Sequence, residues 1–113
     1  MAECVQVSTT LPDEVTAQHF GRQLVEERLA ACAQIVGSVS STYWWQDRVE
    51  EAREWYCHLK TTAAASAELS RRIRELHPYE VPEIIVVAIK EGDASYLNWI
   101  VETVRPSPRI PVP

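Results

Sequence analysis

His77, Tyr79 and Glu80 fall within four positions of one another in the stretch HPYEVPEI, between a segment ending Arg-Glu-Leu and a β-branched run. An imidazole, a phenol and a carboxylate so spaced offer two kinds of chemistry. Imidazole ligates copper and zinc, carboxylates take harder cations, and the set together suits a divalent metal or a polar ligand. Pro78 and Pro82 stiffen the segment, because each biases the residue before it, His77 or Val81, away from α geometry and toward extended backbone. Side chains presented on a rail of that kind lose little entropy on binding. His77 has a structural reading as well, as a helix C-terminal residue favoured by the macrodipole. The sequence leaves both open.

The other residues able to do chemistry are sparser. Three cysteines, Cys4, Cys32 and Cys57, form no Cys-x-x-Cys pair, and a closed zinc site needs about four Cys or His ligands at tight spacing. Cys57 and His58 are adjacent in a strand, so alternation sends them to opposite faces. Cys32 follows Leu-Ala-Ala at a helix-to-strand junction. It reads as a small buried thiol, or as one ligand of a soft copper site completed from another segment or subunit. Glu50, Glu51 and Glu54 read as the solvated edge of a strand. There is no Gly-x-Ser-x-Gly elbow, and three glycines in all leave no room for a phosphate loop or a dinucleotide fingerprint. The expectation is a protein that binds rather than catalyses, with no organic cofactor.

The elements that must position these residues follow from periodicity. Glu3 to Thr9 alternates as a first strand. Thr10 with Asp13 resembles a capping box, and Ala17, Phe20, Leu24 and Ala31, with Gly21 and Val25 beside them, line one face of a helix. From Cys32 the period becomes two. The run breaks at Gly37-Ser38, where a bulge is expected, and continues to Trp45. Gln46-Asp47 makes a turn, and a third strand returns from Val49 to Thr61. Thr62 caps a second helix whose inner face is Ala65, Leu69, Ile73 and Leu76. Ile84 to Ile89 forms a strand apolar enough to be covered on both sides. Asp93 caps a last helix carrying Tyr96, Leu97, Ile100, Val101 and Val104.

The order β-α-β-β-α-β-α predicts an α+β chain: a ferredoxin-like βαββαβ sandwich with an extra C-terminal helix. Residues 1–105 make the domain, and 106–113, PSPRIPVP, an extended proline-rich arm. One feature does not suit a monomer. A third strand of that length spans roughly 43 Å, whereas a sphere with the radius of gyration usual for such a chain is about 34 Å across. The hairpin therefore overhangs. Its aromatic residues, Tyr43, Trp44, Trp45, Trp55 and Tyr56, are expected to pack on neighbouring subunits.

Composition narrows the partners. With 113 residues, a net charge of −5 and no Lys/Arg cluster beyond RRIRE, nucleic acid is not expected. The longest apolar run, Ile84 to Ile89, is far short of a membrane span. The N-terminus lacks the pattern of a secretion signal, so reduced thiols and a cytoplasmic location are expected.

Taken together, TLPDE, LVEERLAAC, TYWW, LKTT, HPYEVPEI and YLNWI resemble the CutA divalent-cation tolerance family, from Cys4 to Val104. The resemblance implies a tight homotrimer, similar in architecture to PII signalling proteins, with clefts between subunits and a link to copper and other divalent cations. Carried over, it implies that Trp45, Lys60, Thr61, Tyr79 and Glu80 line or approach those clefts, and that His77, Glu80 and Cys32 are metal ligands. It also implies either a metal-binding tolerance protein or a PII-like scaffold whose clefts bind a small ligand or partner protein. The family usually has a glycine in the hairpin turn where this chain has Asp47.

Overall fold

The computed structural model describes residues 3–104, so the proline-rich arm lies outside the described residues. The elements are β1 (Cys4–Leu11), α1 (Glu14–Glu26), β2 (Cys32–Trp45), β3 (Arg48–Thr62), α2 (Ser66–Leu76), β4 (Ile85–Ala88) and α3 (Ala94–Thr103). The strands form one antiparallel sheet in the order β2-β3-β1-β4. That order is what two interlocked β-α-β units produce. The expected α+β fold is therefore observed, extra helix included.

Helices α1 and α2 cover one face of the sheet. Val5, Val7 and Leu11 of β1 and Cys57 and Leu59 of β3 meet Ala17, Phe20 and Leu24 of α1 and Leu69 and Ile73 of α2. Burying each of the larger aliphatic side chains contributes about 1.5–3 kcal/mol. Gly21 lets α1 approach closely, since a Cβ there would stand 2.8 Å from Ala33 Cβ and 3.2 Å from Cys57 Sγ. Arg72 joins the two helices with a fork of two 2.8 Å bonds to Glu27. The RRIRE stretch is thus paired with glutamates on a helix surface, as expected of a solvated face.

α3 makes a second, smaller cluster, in which Ile100 and Val104 pack on Cys4 and Ala31. Cys4 alternates with the core-facing Val5, so this helix covers the end of the opposite sheet face.

Local chemistry sets the boundaries. Asp13, not Thr10, is the N-cap of α1, its Oδ1 accepting from the Thr16 N–H at 2.7 Å; Thr10 is still in the strand. α1 ends in a paired motif in which Arg28 N–H donates to the Val25 carbonyl and Leu29 N–H to the Leu24 carbonyl, with Arg28 at φ 64°. Thr62 Oγ1 accepts from Ala65 N–H at 3.1 Å, which shapes the turn before α2; the helix itself opens at Ser66. Asp93 caps α3 as expected, accepting from Tyr96 N–H. The bulge is also where the glycine placed it, with the register slipping between Gly37 and Val39.

Two expectations change. β4 is an edge strand rather than one covered on both sides: Ile85, Val86 and Val87 are 49%, 46% and 52% exposed. Among the described residues its apolar run has no sheet neighbour beyond β1. The hairpin does overhang, giving overall extents of 50 × 32 × 25 Å and a radius of gyration of 15.0 Å, but its aromatics divide. Trp55 packs within its own chain, across Gly37, where a Cβ would stand 2.3 Å from the indole. Tyr56 stacks on His58 at 5.2 Å. Trp44 is left 74% exposed.

Candidate functional site

The hairpin and the 77–84 connector together form a cleft of about 700 Å³. Three observations explain its shape. β2 and β3 run past the end of β1, and Gln46 and Asp47 close them with φ of 50° and 64°. Paired positive φ values give the twist a two-residue hairpin turn needs, and Asp tolerates them better than most residues. The turn therefore closes in two residues with Asp47 where a glycine is usual. The connector then leaves α2 with His77 already extended, at φ −72° and ψ 137°, as the following proline requires. It runs beside Thr10 and faces the hairpin across the opening.

His77 anchors that connector. Its ring is buried, with Nε2 2.9 Å from the Thr10 carbonyl and 3.0 Å from Thr9 Oγ1. A carbonyl only accepts, so Nε2 carries the proton. Nδ1 in turn accepts the Tyr79 N–H at 3.1 Å. The imidazole is neutral and both nitrogens are engaged. Burial holds its pKa below the ordinary value, against the Thr10 carbonyl and the Glu54 charge. No ring lone pair is left for a metal.

Tyr79, held by that bond and by its ring contact with His77 at 4.8 Å, donates its hydroxyl to Glu54 Oε2 at 2.8 Å. Burial first, then the Glu54 carboxylate, push the phenol well above its usual pKa. Glu54 is only 8% exposed. This corrects its assignment to a solvated edge: the connector folds over that part of β3 and covers it. Glu50 is partly covered and Glu51 exposed.

Of the residues expected at the site, Trp45, Tyr79 and Glu80 line the cleft together. Thr10, Glu54 and Glu83 join them without having been singled out as ligands, and Tyr43 and Trp44 join from the hairpin. The signal that could have found Glu54 is the connector's length, which is enough to cross the end of β1 and reach β3. Thr61 is fully buried and donates to the Leu29 carbonyl at 2.7 Å, so its place is in the core. Lys60 lies on the other sheet face, with Nζ 2.6 Å from Gln34 Oε1.

Cys32 stands apart from the cleft as well. Its Sγ is 3.5 Å from the Tyr96 hydroxyl, and this contact, with burial, raises the Tyr96 pKa to about 12. Cys57 and His58 do face opposite ways. Cys57 is in the core, with burial pushing its thiol up to about 12, while His58 Nδ1 is 2.7 Å from Ser8 Oγ. Among the described residues no group of three or more His, Cys, Asp or Glu gathers closely enough to hold a metal ion. The ligand set His77, Glu80 and Cys32 therefore does not fit a metal within one chain.

Comparison with known proteins places this arrangement. Residues 5–103 match the family model described as CutA1 divalent ion tolerance protein. The divalent-cation tolerance protein CutA of Thermus thermophilus is 46% identical over 96 residues, covering 85% of this chain and 93% of that one. The crystal structure of CutA from Xylella fastidiosa superposes with a TM-score of 0.88 at 36% identity, covering 92% of this chain and all (100%) of the other. A structure titled periplasmic divalent cation tolerance protein CutA, from Archaeoglobus fulgidus, gives a TM-score of 0.86 at 31% identity, covering 90% and 99%. This chain belongs to the CutA1 divalent ion tolerance family.

Proposed function

We infer that this chain works as a homotrimer in tolerance of divalent cations, binding copper or another divalent metal through ligands contributed by more than one subunit. The observation that carries this is the open edge of the sheet. Ile85, Val86 and Val87 are about half exposed on an edge strand whose outer side meets no other strand among the described residues, a surface that water-exposed edges avoid and a neighbouring subunit would cover. Assembly would also bring together donors that a single chain keeps apart, with Glu80 and Cys32 the ones this chain offers. The family description supports the divalent-cation role. Copper and zinc accept such mixed sulfur and oxygen sets more readily than magnesium does.

Calorimetric titration of the assembled protein with Cu²⁺, Zn²⁺ and Mg²⁺, repeated on Cys32→Ser and Glu80→Gln, tests this. The expected order is Cu²⁺ tightest and Mg²⁺ weakest, with both substitutions weakening copper. Copper binding untouched by either change would remove both residues from the site.

A second reading has its own support. The His77 ring is fully hydrogen-bonded, and the cleft it supports has the volume of a small-molecule site. On this reading the protein is a PII-like scaffold whose cleft receives a ligand, and the cation effect is indirect. Neither reading assigns catalysis. A cytoplasmic location belongs to both: Cys4, Cys32 and Cys57 are unpaired, as suits a reducing compartment. No helix among the described residues is long and apolar enough to cross a membrane.

A further inference from the structure

We propose that the cleft between the hairpin and the 77–84 connector binds a small organic cation, an alkylammonium or quaternary ammonium compound, held by carboxylates and aromatic rings together. The inference rests on the second reading, that the cleft receives a small ligand, and supplies that ligand's chemistry.

Charge is the first argument. Glu54, Glu80 and Glu83 line the cleft, and among the described residues no Lys, Arg or His lines it. None of the three carboxylates makes a salt bridge among the described residues. Glu54 is the telling member. It is 8% exposed, and its Oε2 accepts a hydrogen bond from the Tyr79 hydroxyl. A carboxylate that far out of water usually has a positive partner, and none stands here among the described residues.

Size and spacing within one chain do not suit a bare metal as that partner. A metal ion needs several donors at about 2.0–2.6 Å, and these carboxylates are not grouped closely enough to hold one. The cleft, about 700 Å³, lies within the range of roughly 300–1,000 Å³ occupied by small-molecule sites. An organic cation spreads its charge over a larger surface and can be met by carboxylates standing apart.

The lining supplies the rest of the recognition. Tyr43, Trp44, Trp45 and Tyr79 border the same space. Aromatic side chains attract alkylated ammonium groups through the ring quadrupole and also desolvate their methyl groups, which a hydrated metal ion would not exploit. Tyr79 is fixed through its hydroxyl and its backbone N–H, so part of the wall is already organised before a ligand arrives.

The test uses three probes of one shape and different charge on the assembled protein: choline, its neutral analogue 3,3-dimethyl-1-butanol, and the anion 3,3-dimethylbutyrate. Calorimetry and tryptophan fluorescence should both report choline binding, with the neutral probe at least about tenfold weaker and the anion not bound. Glu80→Gln and Trp45→Leu should each weaken choline by about three- to tenfold, with sedimentation confirming that the assembly is intact. Equal binding of choline and the neutral probe, or preference for the anion, would overturn the cation assignment and leave a ligand cleft standing. No binding of any probe to an intact assembly would overturn the cleft reading with it, as would a neighbouring subunit's side chains filling the space in a crystal structure of the assembly.

Discussion

The Tyr79 hydroxyl donates to Glu54 Oε2 at 2.8 Å, joining residues 25 positions apart and fixing the connector to β3. The bond is part of the cleft wall, so its removal separates stability from shape. Tyr79→Phe leaves a buried carboxylate without its donor, at an expected loss of about 1–3 kcal/mol. Glu54→Gln keeps an acceptor for the hydroxyl and should lose less. Urea denaturation of both variants and the double variant gives the coupling between them. A Tyr79→Phe protein as stable as the parent would mean that the bond contributes nothing in solution.

His77 should matter for folding. Replacing it with Ala strands the Tyr79 N–H, the Thr9 hydroxyl and the Thr10 carbonyl, and removes the edge contact with Phe20 at 5.6 Å. One or more buried groups left unpaired put the loss at about 2–4 kcal/mol. His77→Gln, which can still donate from its side-chain amide, should recover part of it. Thermal melts of the three proteins decide; an unshifted melt for His77→Ala would return the residue to consideration as a ligand.

Acid should destabilise the protein before its carboxylates titrate. Burial lowers the pKa of His77, and burial together with Lys60 lowers that of His58. A histidine whose folded pKa lies below its unfolded one is protonated more readily in the unfolded chain. Stability is therefore full above about pH 6.5 and declines as pH falls below it toward the folded pKa values. Denaturation at pH 7.5 and 5.5 should show the decline, with a smaller change in His77→Gln. Stability rising between those pH values would contradict the placement of both rings.

What the sequence disclosed and what it hid divide along one physical line. Most caps and turns written within a few residues were legible: Asp93 before α3, the break at Gly37, and the Gln46-Asp47 turn, though α1 is capped by Asp13 rather than Thr10. Expectations that depended on distant partners fared worse. His77 looked like a ligand or a helix end because Thr9 and Thr10, the groups that occupy its ring, are 68 and 67 positions away. Glu54 looked solvated because strand alternation says nothing of a connector laid over it. Ile85 to Ala88 looked doubly covered because apolar runs report burial without saying whose atoms do the burying. Thr61 was carried from a motif match, and a hydroxyl bonded to a buried carbonyl cannot be told in sequence from one lining a cleft.

The hairpin offers a stability prediction of opposite sign. Asp47 takes a left-handed conformation at φ 64°, where a residue with a Cβ is disfavoured by about 1–2 kcal/mol relative to glycine. Asp47→Gly should stabilise the protein by up to about 1 kcal/mol, after the added flexibility of the unfolded chain is discounted. Gly37→Ala should destabilise it, because the Trp55 ring occupies the space a methyl would need. Chemical denaturation of the two variants gives both signs.

Thiol reactivity should order the cysteines by environment. Cys57 is in the core with its thiol raised to about 12, and Cys4 is buried and raised by desolvation. Cys32 is only partly covered. Alkylation of the folded protein, followed by mass spectrometry, should therefore modify Cys32 first and leave Cys57 until the chain unfolds. Early modification of Cys57 would contradict the packing of α1 against β3.

The most direct test of the central claim compares copper binding by the assembly with binding by single subunits. Val87 lies on the exposed edge strand opposite Gln6, and a lysine there should prevent burial against a neighbour. Val87→Lys, with Ile85→Lys as a second variant, should sediment as a folded monomer while the parent sediments as a trimer. Titrated with Cu²⁺ at pH 7.5, the trimer should bind and the folded monomer should lose most of that affinity. A monomer that binds copper as tightly as the parent would contradict a site built from more than one subunit.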